Sequence, residues 1–325
     1  ISPETPTQRS FLISGDFKPE EITIVLTASD RKQIVTYQPD PPQEKEVPKP
    51  AQAAKDPMDI TSIEQLFLTG QHIEQYRHAT FRATDYYEEA LRREPSDVRN
   101  NNAMGLWHLK RGQFEKALPF FTEAVRTLTQ RNANPYDGEP VFNLGLTYLM
   151  LRTYNNAFAA FYKSAWNSAW QDAAYLNLAR IATRQNGLEE ALDFITQSLN
   201  KNFTSQTARH LKVVILRKLR KTQEAIQLIG ESLALDKFNF GCLFEKYLLL
   251  LSAGAESERS KEVLEKLVML MRGNHETYFE YAFDYVHAGC YQEAIKLLEM
   301  LVDAHRNEYP LTYYYLGYFE LKQDN

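Results

Sequence analysis

The spacing of hydrophobic residues changes its period once along the chain. Within residues 10–37, the runs SFLIS, EITIVLTA and KQIVTY are rich in β-branched residues and flank polar turns such as SDR, which predicts two or three β-strands. From Ile63 onward, apolar residues recur at helical spacing between short polar turns such as KRGQ and RQNG. The pattern therefore predicts a short β segment followed by a long helical region.

A proline-rich stretch separates these two regions. Six of the fourteen prolines lie between Pro39 and Pro57, in a segment rich in charge and poor in large apolar residues, which is typical of an extended linker. Two or three strands do not make an independent sheet. We therefore expect residues 1–38 to be the last strands of a truncated β domain, 39–57 to be a linker, and 58–325 to be the helical region. The start at Ile1 rather than Met also suggests a segment of a longer protein.

Small residues recur at a fixed interval in the helical region. Aligning AMGLWHL, NLGLTYL and NLARIAT gives steps of 40, 34, 34, 34, 35 and 35 residues for one row: Gly105, Gly145, Ala179, Val213, Tyr247, Ala282 and Gly317. A second row lies twelve residues further on, interrupted by Arg259: Ala117, Ala157, Ala191, Ala225 and Ala294. The spacing predicts close helix contacts at both rows, and it predicts a wider or rotated contact near Tyr247.

A period near 34 with these small positions is the tetratricopeptide pattern of repeated helix pairs. The predicted fold is all-α, a right-handed solenoid of about seven repeats. Gly70, Ala90 and Pro95 mark a weaker first unit, and the segment TQRNANPYDGEP lengthens the turn that produces the 40-residue step. The last helix, PLTYYYLGYFELKQDN, has no partner in the sequence. The last repeat is therefore predicted to be incomplete, with tyrosines partly bare and available for self-association.

The runs TQRNANPYDGEPVFNLGL and AFYKSAWNSAWQDAAYLNLARI, together with the run that begins GQHIEQYRHATFRATDYYEEAL, resemble a group of large bacterial proteins. In that group, a β-rich domain of unknown function precedes tetratricopeptide repeats. The resemblance covers most of residues 58–235. It implies an upstream β-sandwich similar to galactose mutarotases, whose last strands would be residues 1–38, and it implies no particular reaction.

Composition narrows the classes of function. The chain has 325 residues, a net charge of -5 and a pI near 5.9, which gives no reason to expect nucleic acid or a membrane surface as a partner. Cys242 and Cys290 are too few for a disulfide framework, so we expect a reducing, cytoplasmic location in a bacterium. His72 and His78 are six residues apart, a poor spacing for a metal site on one helix. No catalytic motif is present, so we predict no enzyme activity, no cofactor and no metal.

The concave face of the predicted solenoid is the candidate binding site. Counting from the glycine row, the positions expected to face a ligand are basic or carry amides: Arg99, Asn102, Lys110, Asn143, Asn177, Arg180, Arg184, His210, Arg217 and Lys218. Between Asp172 and Lys221, nine Lys or Arg residues stand against four Asp or Glu. Arginine pairs with carboxylates and asparagine with peptide amides, so an acidic partner peptide is one expectation. The alternative is that these charges only keep the solenoid soluble.

Some tetratricopeptide arrays hold a peptide's terminal carboxylate with a set of Lys, Asn and Arg side chains. Asn143 and Asn177 match one asparagine position of that set, and the preceding lysine is absent. The tryptophans Trp166 and Trp170 lie one helical turn apart. Core packing is favoured for them over stacking on a sugar. The long NPYDGE turn is a further candidate contact point.

Two functions follow from these observations. The first is a non-catalytic scaffold that binds a protein, a peptide or its own upstream β domain through the basic groove. The alternative is an assembly or regulatory arm of a carbohydrate-active protein whose active site lies in the upstream domain.

Overall fold

The computed structural model describes residues 8, 10–42, 52–76, 78–252, 257–305 and 309–323. Contacts divide the chain into two compact units, Ile1–Ala54 and Lys55–Asn325. The first unit contains an antiparallel hairpin of β1 (Ile24–Thr27) and β2 (Gln33–Tyr37), in which Ile24 pairs with Tyr37. Residues 10–14, the third predicted strand, have no regular secondary structure.

The second unit is helical throughout its described residues, as the periodicity predicts. A short 3₁₀ helix at Pro57–Asp59 precedes the first of fifteen described α-helices and contacts the second. The helices are α1 (Ile63–Gln75), α2 (Ala83–Arg93), α3 (Val98–Leu109), α4 (Phe114–Thr129), α5 (Glu139–Met150), α6 (Tyr154–Ser164), α7 (Gln171–Arg184), α8 (Leu188–Lys201), α9 (Gln206–Lys218), α10 (Thr222–Leu235), α11 (Phe240–Ser252), α12 (Glu258–Met271), α13 (His275–His287), α14 (Tyr291–His305) and α15 (Pro310–Gln323).

The helices form seven sequential pairs, from α1 with α2 to α13 with α14, followed by α15. The first helices of neighbouring pairs also contact each other. For example, α1 contacts α3, and α9 contacts α11. We call the side formed by these first helices the inner face. Polar side chains cap several of them: Asp97 accepts a hydrogen bond from the backbone N–H of Asn100 at 2.8 Å, and Ser205 accepts one from Ala208 at 3.3 Å. Such caps satisfy amides that have no partner inside the helix.

The glycine row has the packing role that its spacing predicts. A Cβ added at Gly105 would lie 2.6 Å from the Phe121 ring, and one at Gly145 would lie 2.9 Å from Phe161. The alanines of the second row are fully buried. At Arg259 the row shifts by one residue, because Ser260 is buried there and Arg259 is exposed. Gly317 differs, since a Cβ on α15 would meet nothing within 4 Å.

The turns inside the pairs share a backbone conformation that the sequence reasoning missed. One residue with positive φ joins the two helices at equivalent places in five of the pairs: Gly112, Arg152, Asn186, Arg220 and Gly289. In the α11–α12 pair, the corresponding residues lie outside those described. Positive φ costs a non-glycine residue roughly 1–2 kcal/mol, so geometry rather than residue preference fixes these turns.

Replacing Gly105 with alanine is expected to lower the free energy of unfolding by about 1–3 kcal/mol. The new methyl would press on Phe121, which is fully buried and has no room to move. Gly230→Ala is the matched control, because Gly230 lies within α10 and a Cβ there meets nothing within 4 Å. It should stabilise the protein by about 0.5–1 kcal/mol. Urea unfolding followed by circular dichroism measures both. Equal shifts in the same direction would contradict the packing role.

Apolar contacts are local in the first pairs and extensive in the last ones. One small cluster joins α3, α4 and α5 around Phe121, and another joins α5, α6 and α7 around Phe161. A single larger cluster then connects α7 with α9, α11, α13, α14 and α15. On α15, Tyr313, Tyr314 and Tyr318 are exposed as expected, whereas Phe319 is buried. Within the described residues, none of the helices combines the length and apolarity needed to cross a bilayer.

Candidate functional site

The chain's own helix α13 covers part of the inner face at α7 and α9. Helix α13 contacts α7 and α9 as well as its pair partner α14. Arg180 on α7 donates to Asp284 on α13 at 3.0 Å, and the His210 ring nitrogen lies 4.0 Å from the other Asp284 oxygen. Arg184 donates to the carbonyl oxygen of Val286. Residues more than a hundred positions apart are therefore neighbours.

A buried charge network lies behind this contact. Arg217 on α9 donates to Glu245 on α11 at 2.5 Å and to Glu293 on α14 at 2.7 Å, and Lys218 lies 2.9 Å from Glu293. The Tyr285 hydroxyl donates to Glu245 at 2.6 Å. We call the contact of α13 and α14 with α7, α9 and α11 through these pairs the closure. Such paired charges are costly to separate once they are desolvated.

The closure shifts the pKa values of its members. Burial disfavours the charged form of Arg217, but the Glu245 and Glu293 carboxylates outweigh burial and raise its pKa. Burial likewise works to raise the pKa of Asp284, but His210 and Arg180 outweigh it, and the Asp284 pKa lies below its usual value. Arg217 and Asp284 are therefore both charged at neutral pH. Burial also raises the pKa of Cys242 and Cys290 to about 12.

The structure thus separates the predicted groove residues into two groups. Arg180, Arg184, His210 and Arg217 belong to the closure, where His210 is only 2 % exposed. Asn177 is also buried, and its side-chain amide donates to the Ala173 carbonyl oxygen at 2.9 Å. Three basic residues of α7 and α9, Arg180, Arg217 and Lys218, are paired with acidic residues of α11, α13 and α14.

The remaining groove residues line an open cleft across α1, α3 and the turn before α5. The cleft has a volume of about 780 Å³. We call it the N-terminal cleft, and its main lining residues are Phe67, Gln71, Glu74, Arg99, Asn102, Leu106, Lys110, Arg111, Asp137 and Glu139. Of the predicted positions, Arg99, Asn102 and Lys110 line it directly.

Side-chain amides connect the cleft to α5. Asn143 donates to Asn102 at 3.0 Å, and Asn102 donates to Glu139 at 3.1 Å. Phe67 and Leu106 supply half-buried apolar surface, and the Arg99 guanidinium lies 5.1 Å from the centre of the Phe67 ring. The cleft therefore offers apolar contact, amide groups and charges along one groove. Such a mixture is typical of ligand sites.

Sequence reasoning did not name the apolar residues and carboxylates of this cleft. Asp137 and Glu139 lie in the long NPYDGE turn, which the sequence did mark as a candidate contact point. Phe67 and Leu106 gave no signal, because apolar residues at helical spacing are read as core. Trp166, expected in the core, is 67 % exposed, whereas Trp170 stacks on Phe142 with ring centres 4.7 Å apart.

Among the described residues, no three His, Cys, Asp or Glu side chains converge as a metal site would require. The His72 ring packs at a tilt of 41° against Tyr76, with ring centres 4.6 Å apart. His78 accepts hydrogen bonds from the backbone amides of Thr80 and Phe81. The two histidines thus have separate local roles.

Seven sequential helix pairs, with glycine and alanine at the pair contacts, define a tetratricopeptide-repeat fold. No protein-family model matches the chain. A tetratricopeptide repeat protein from Parabacteroides merdae superposes with a TM-score of 0.53 at 13% identity, over 79% of this chain and 98% of that one.

Two further solved structures are similar at lower scores. PilF from Pseudomonas aeruginosa has a TM-score of 0.45 at 16% identity, over 69% of this chain and 90% of that one. YrrB, described as a tetratricopeptide protein with an unusual peptide-binding site, has a TM-score of 0.43 at 12% identity, over 69% and 95%. At these identities the likeness concerns the fold alone.

Proposed function

We propose that the chain is a non-catalytic scaffold that binds an extended segment of a protein partner in the N-terminal cleft. The observation that carries this proposal is the contrast along the inner face. At α7 and α9 the chain's own α13 packs on that face and pairs with Arg180, leaving an opening of about 550 Å³ between α9 and α13. By contrast, α1, α3 and the turn before α5 leave an opening of about 780 Å³. Stacked repeats commonly use such extended concave surfaces for binding.

The lining of the cleft suits a peptide. Its volume of about 780 Å³ lies within the range of roughly 300–1,000 Å³ found for ligand sites. The Asn102 and Gln71 side chains line the cleft with amides that match backbone N–H and C=O, while Phe67 and Leu106 present apolar surface to a side chain. An extended chain exposes both kinds of group at regular intervals.

Selection from a random peptide library displayed on phage, with the full chain as bait, tests this proposal. Selected peptides should bind the purified protein in solution by fluorescence polarisation. Leu106→Asp places a charge on the apolar floor and should weaken binding at least tenfold, whereas Leu235→Asp, at an exposed position on α10, should leave binding unchanged. Circular dichroism checks that each variant is folded.

Gln71→Trp provides a second route if Leu106→Asp does not fold. Gln71 is an exposed residue of α1 that lines the cleft, so an indole there would obstruct the groove without disturbing the core. Peptides that bind both folded cleft variants as tightly as the parent would overturn the proposal. So would a selection that enriches no peptide.

A further inference from the structure

The carboxylates of the N-terminal cleft differ in how they are compensated. Glu74 lies 3.0 Å from the Lys110 ammonium and also accepts a hydrogen bond from Tyr87. Asp137 and Glu139 have no Lys or Arg within ion-pair distance in the part of the chain that the structure describes. Two negative charges therefore stand at the α5 end of the cleft with no cation of the chain beside them.

Both carboxylates are held in place by neutral donors. An Asp137 oxygen accepts a hydrogen bond from the backbone N–H of Glu139 at 2.9 Å. A Glu139 oxygen accepts from the Asn102 amide at 3.1 Å. These bonds orient the two groups and leave their charge uncancelled, since an amide donor carries no net charge.

The basic residues of the same cleft are already engaged. Arg99 pairs with Glu64 at 3.3 Å and lies over the Phe67 ring. Arg111 lies 3.8 Å from the centre of the Trp107 ring and donates to the Trp107 carbonyl oxygen at 2.9 Å. None of Arg99, Lys110 and Arg111 forms an ion pair with Asp137 or Glu139, so the uncompensated charge beside α5 is negative.

We propose that the α5 end of the N-terminal cleft receives a lysine or arginine side chain of the partner peptide at Asp137 and Glu139. A neighbouring apolar side chain of that peptide packs on Phe67 and Leu106. A cation beside two oriented carboxylates gains charge-assisted hydrogen bonds, and charge complementarity of this kind sets which partner is accepted. This inference rests on the proposed function, since it names the chemistry of the segment bound in the same cleft.

The inference replaces the expectation of an acidic partner with a basic one. That expectation rested on the positive charges of α7 and α9, of which the closure pairs Arg180, Arg217 and Lys218 with the carboxylates of Asp284, Glu245 and Glu293. At the α5 end of the open cleft, the two carboxylates without an ion pair have the opposite sign. The preferred peptide therefore differs from the one that a simple count of Lys and Arg would suggest.

Isosteric neutralisation of the two carboxylates tests the inference. The doubly substituted variant Asp137→Asn, Glu139→Gln should bind a selected peptide about tenfold more weakly than the parent. Binding of the same peptide with citrulline or glutamine in place of its Arg or Lys should not differ between the two proteins. Glu115→Gln, an exposed carboxylate on α4, removes a charge outside the cleft and should leave binding unchanged.

The outcomes separate this inference from the proposed function. Selected peptides without a basic residue, or equal binding by the parent and the neutralised variant, would overturn the inference while cleft binding stands. If no peptide binds, or if binding survives the Leu106→Asp and Gln71→Trp changes, the proposed function fails and the inference fails with it. Salt provides a further check, because only the basic peptide should lose affinity steeply between low and high ionic strength.

Discussion

Replacing Glu245 with alanine is expected to lower the free energy of unfolding by about 3–5 kcal/mol. Glu245 is completely buried and accepts hydrogen bonds from Arg217 at 2.5 Å and from the Tyr285 hydroxyl at 2.6 Å. Removing it leaves the Arg217 charge and a buried hydroxyl with fewer partners. Urea unfolding monitored by circular dichroism gives the change.

Glu64→Ala is the matched control for this prediction. Glu64 makes the same kind of pair, with Arg99 at 3.3 Å, but its side chain is 64% exposed. Exposed pairs contribute roughly 0–1 kcal/mol, so this variant should resemble the parent. A Glu245→Ala protein within 1 kcal/mol of the parent would show that the network does not hold α9, α11 and α13 together.

Replacing Phe161 with alanine is expected to cost about 3–5 kcal/mol. Phe161 is fully buried, packs on Phe142 with ring centres 5.4 Å apart, and lies where a Cβ on Gly145 would clash. The substitution leaves a cavity that the glycine on the facing helix does not fill. Thermal and urea unfolding measure the loss.

Phe203→Ala is the same substitution at a side chain that is 64% exposed. It should change stability by no more than about 0.5 kcal/mol. If Phe161→Ala and Phe203→Ala shift the unfolding midpoint by similar amounts, the glycine row is not closed by the phenylalanine that faces it. The packing explanation of the repeat would then be wrong.

The repeat itself follows from the sequence because its contacts are local. Gly105 meets Phe121 and Gly145 meets Phe161, in each case sixteen residues further on and within one helix pair. A spacing repeated along the chain therefore carries the information. The alanine row is interrupted at Arg259, and there the buried small residue is Ser260, one position further on.

The closure has no such signature. Arg180 and Asp284 are 104 residues apart, and no periodic pattern links them. The sequence shows a basic stretch in α7 and α9 and separate acidic residues further on, but it does not say which of them meet. The sequence therefore predicts that Arg180 and Arg217 face a partner, whereas in the structure they form ion pairs within the chain.

The candidate site was found in part for the same reason. Arg99, Asn102 and Asn143 are at positions that the repeat register assigns to the inner face, and the structure brings them together near the cleft. The sequence does not predict Leu106 and Phe67 as cleft residues, because an apolar residue on a helix is equally compatible with a core and with a binding surface. The same ambiguity applies to Trp166, which the sequence predicts to lie in the core and which is exposed in the structure.

Helix α13 lies against α7, and this contact takes up inner-face charges of α7 and α9, whereas the N-terminal cleft stays open. A Cβ added at Gly289 would lie 3.2 Å from the Arg184 Cβ, slightly less than the separation of about 3.5–4.5 Å found in disulfides. Gly289 also has a positive φ of 78°, so a cysteine there requires a small shift of the turn, which brings the two sulfurs into bonding range. The native Cys242 and Cys290 are buried. Cys290 shares a tryptic peptide with residue 289, so the crosslinking variants also carry Cys290→Ser, whereas Cys242 lies on a separate peptide.

Disulfide formation in an Arg184→Cys, Gly289→Cys variant under mild oxidation, followed by mass spectrometry of tryptic peptides, is the most direct measurement. The closure predicts a nearly complete 184–289 crosslink in the folded protein and none in an Arg184→Cys, Gly230→Cys control. If both thiols stay free in a folded 184–289 variant, the closure is contradicted. The inner face of α7 and α9 would then be open to a binding partner.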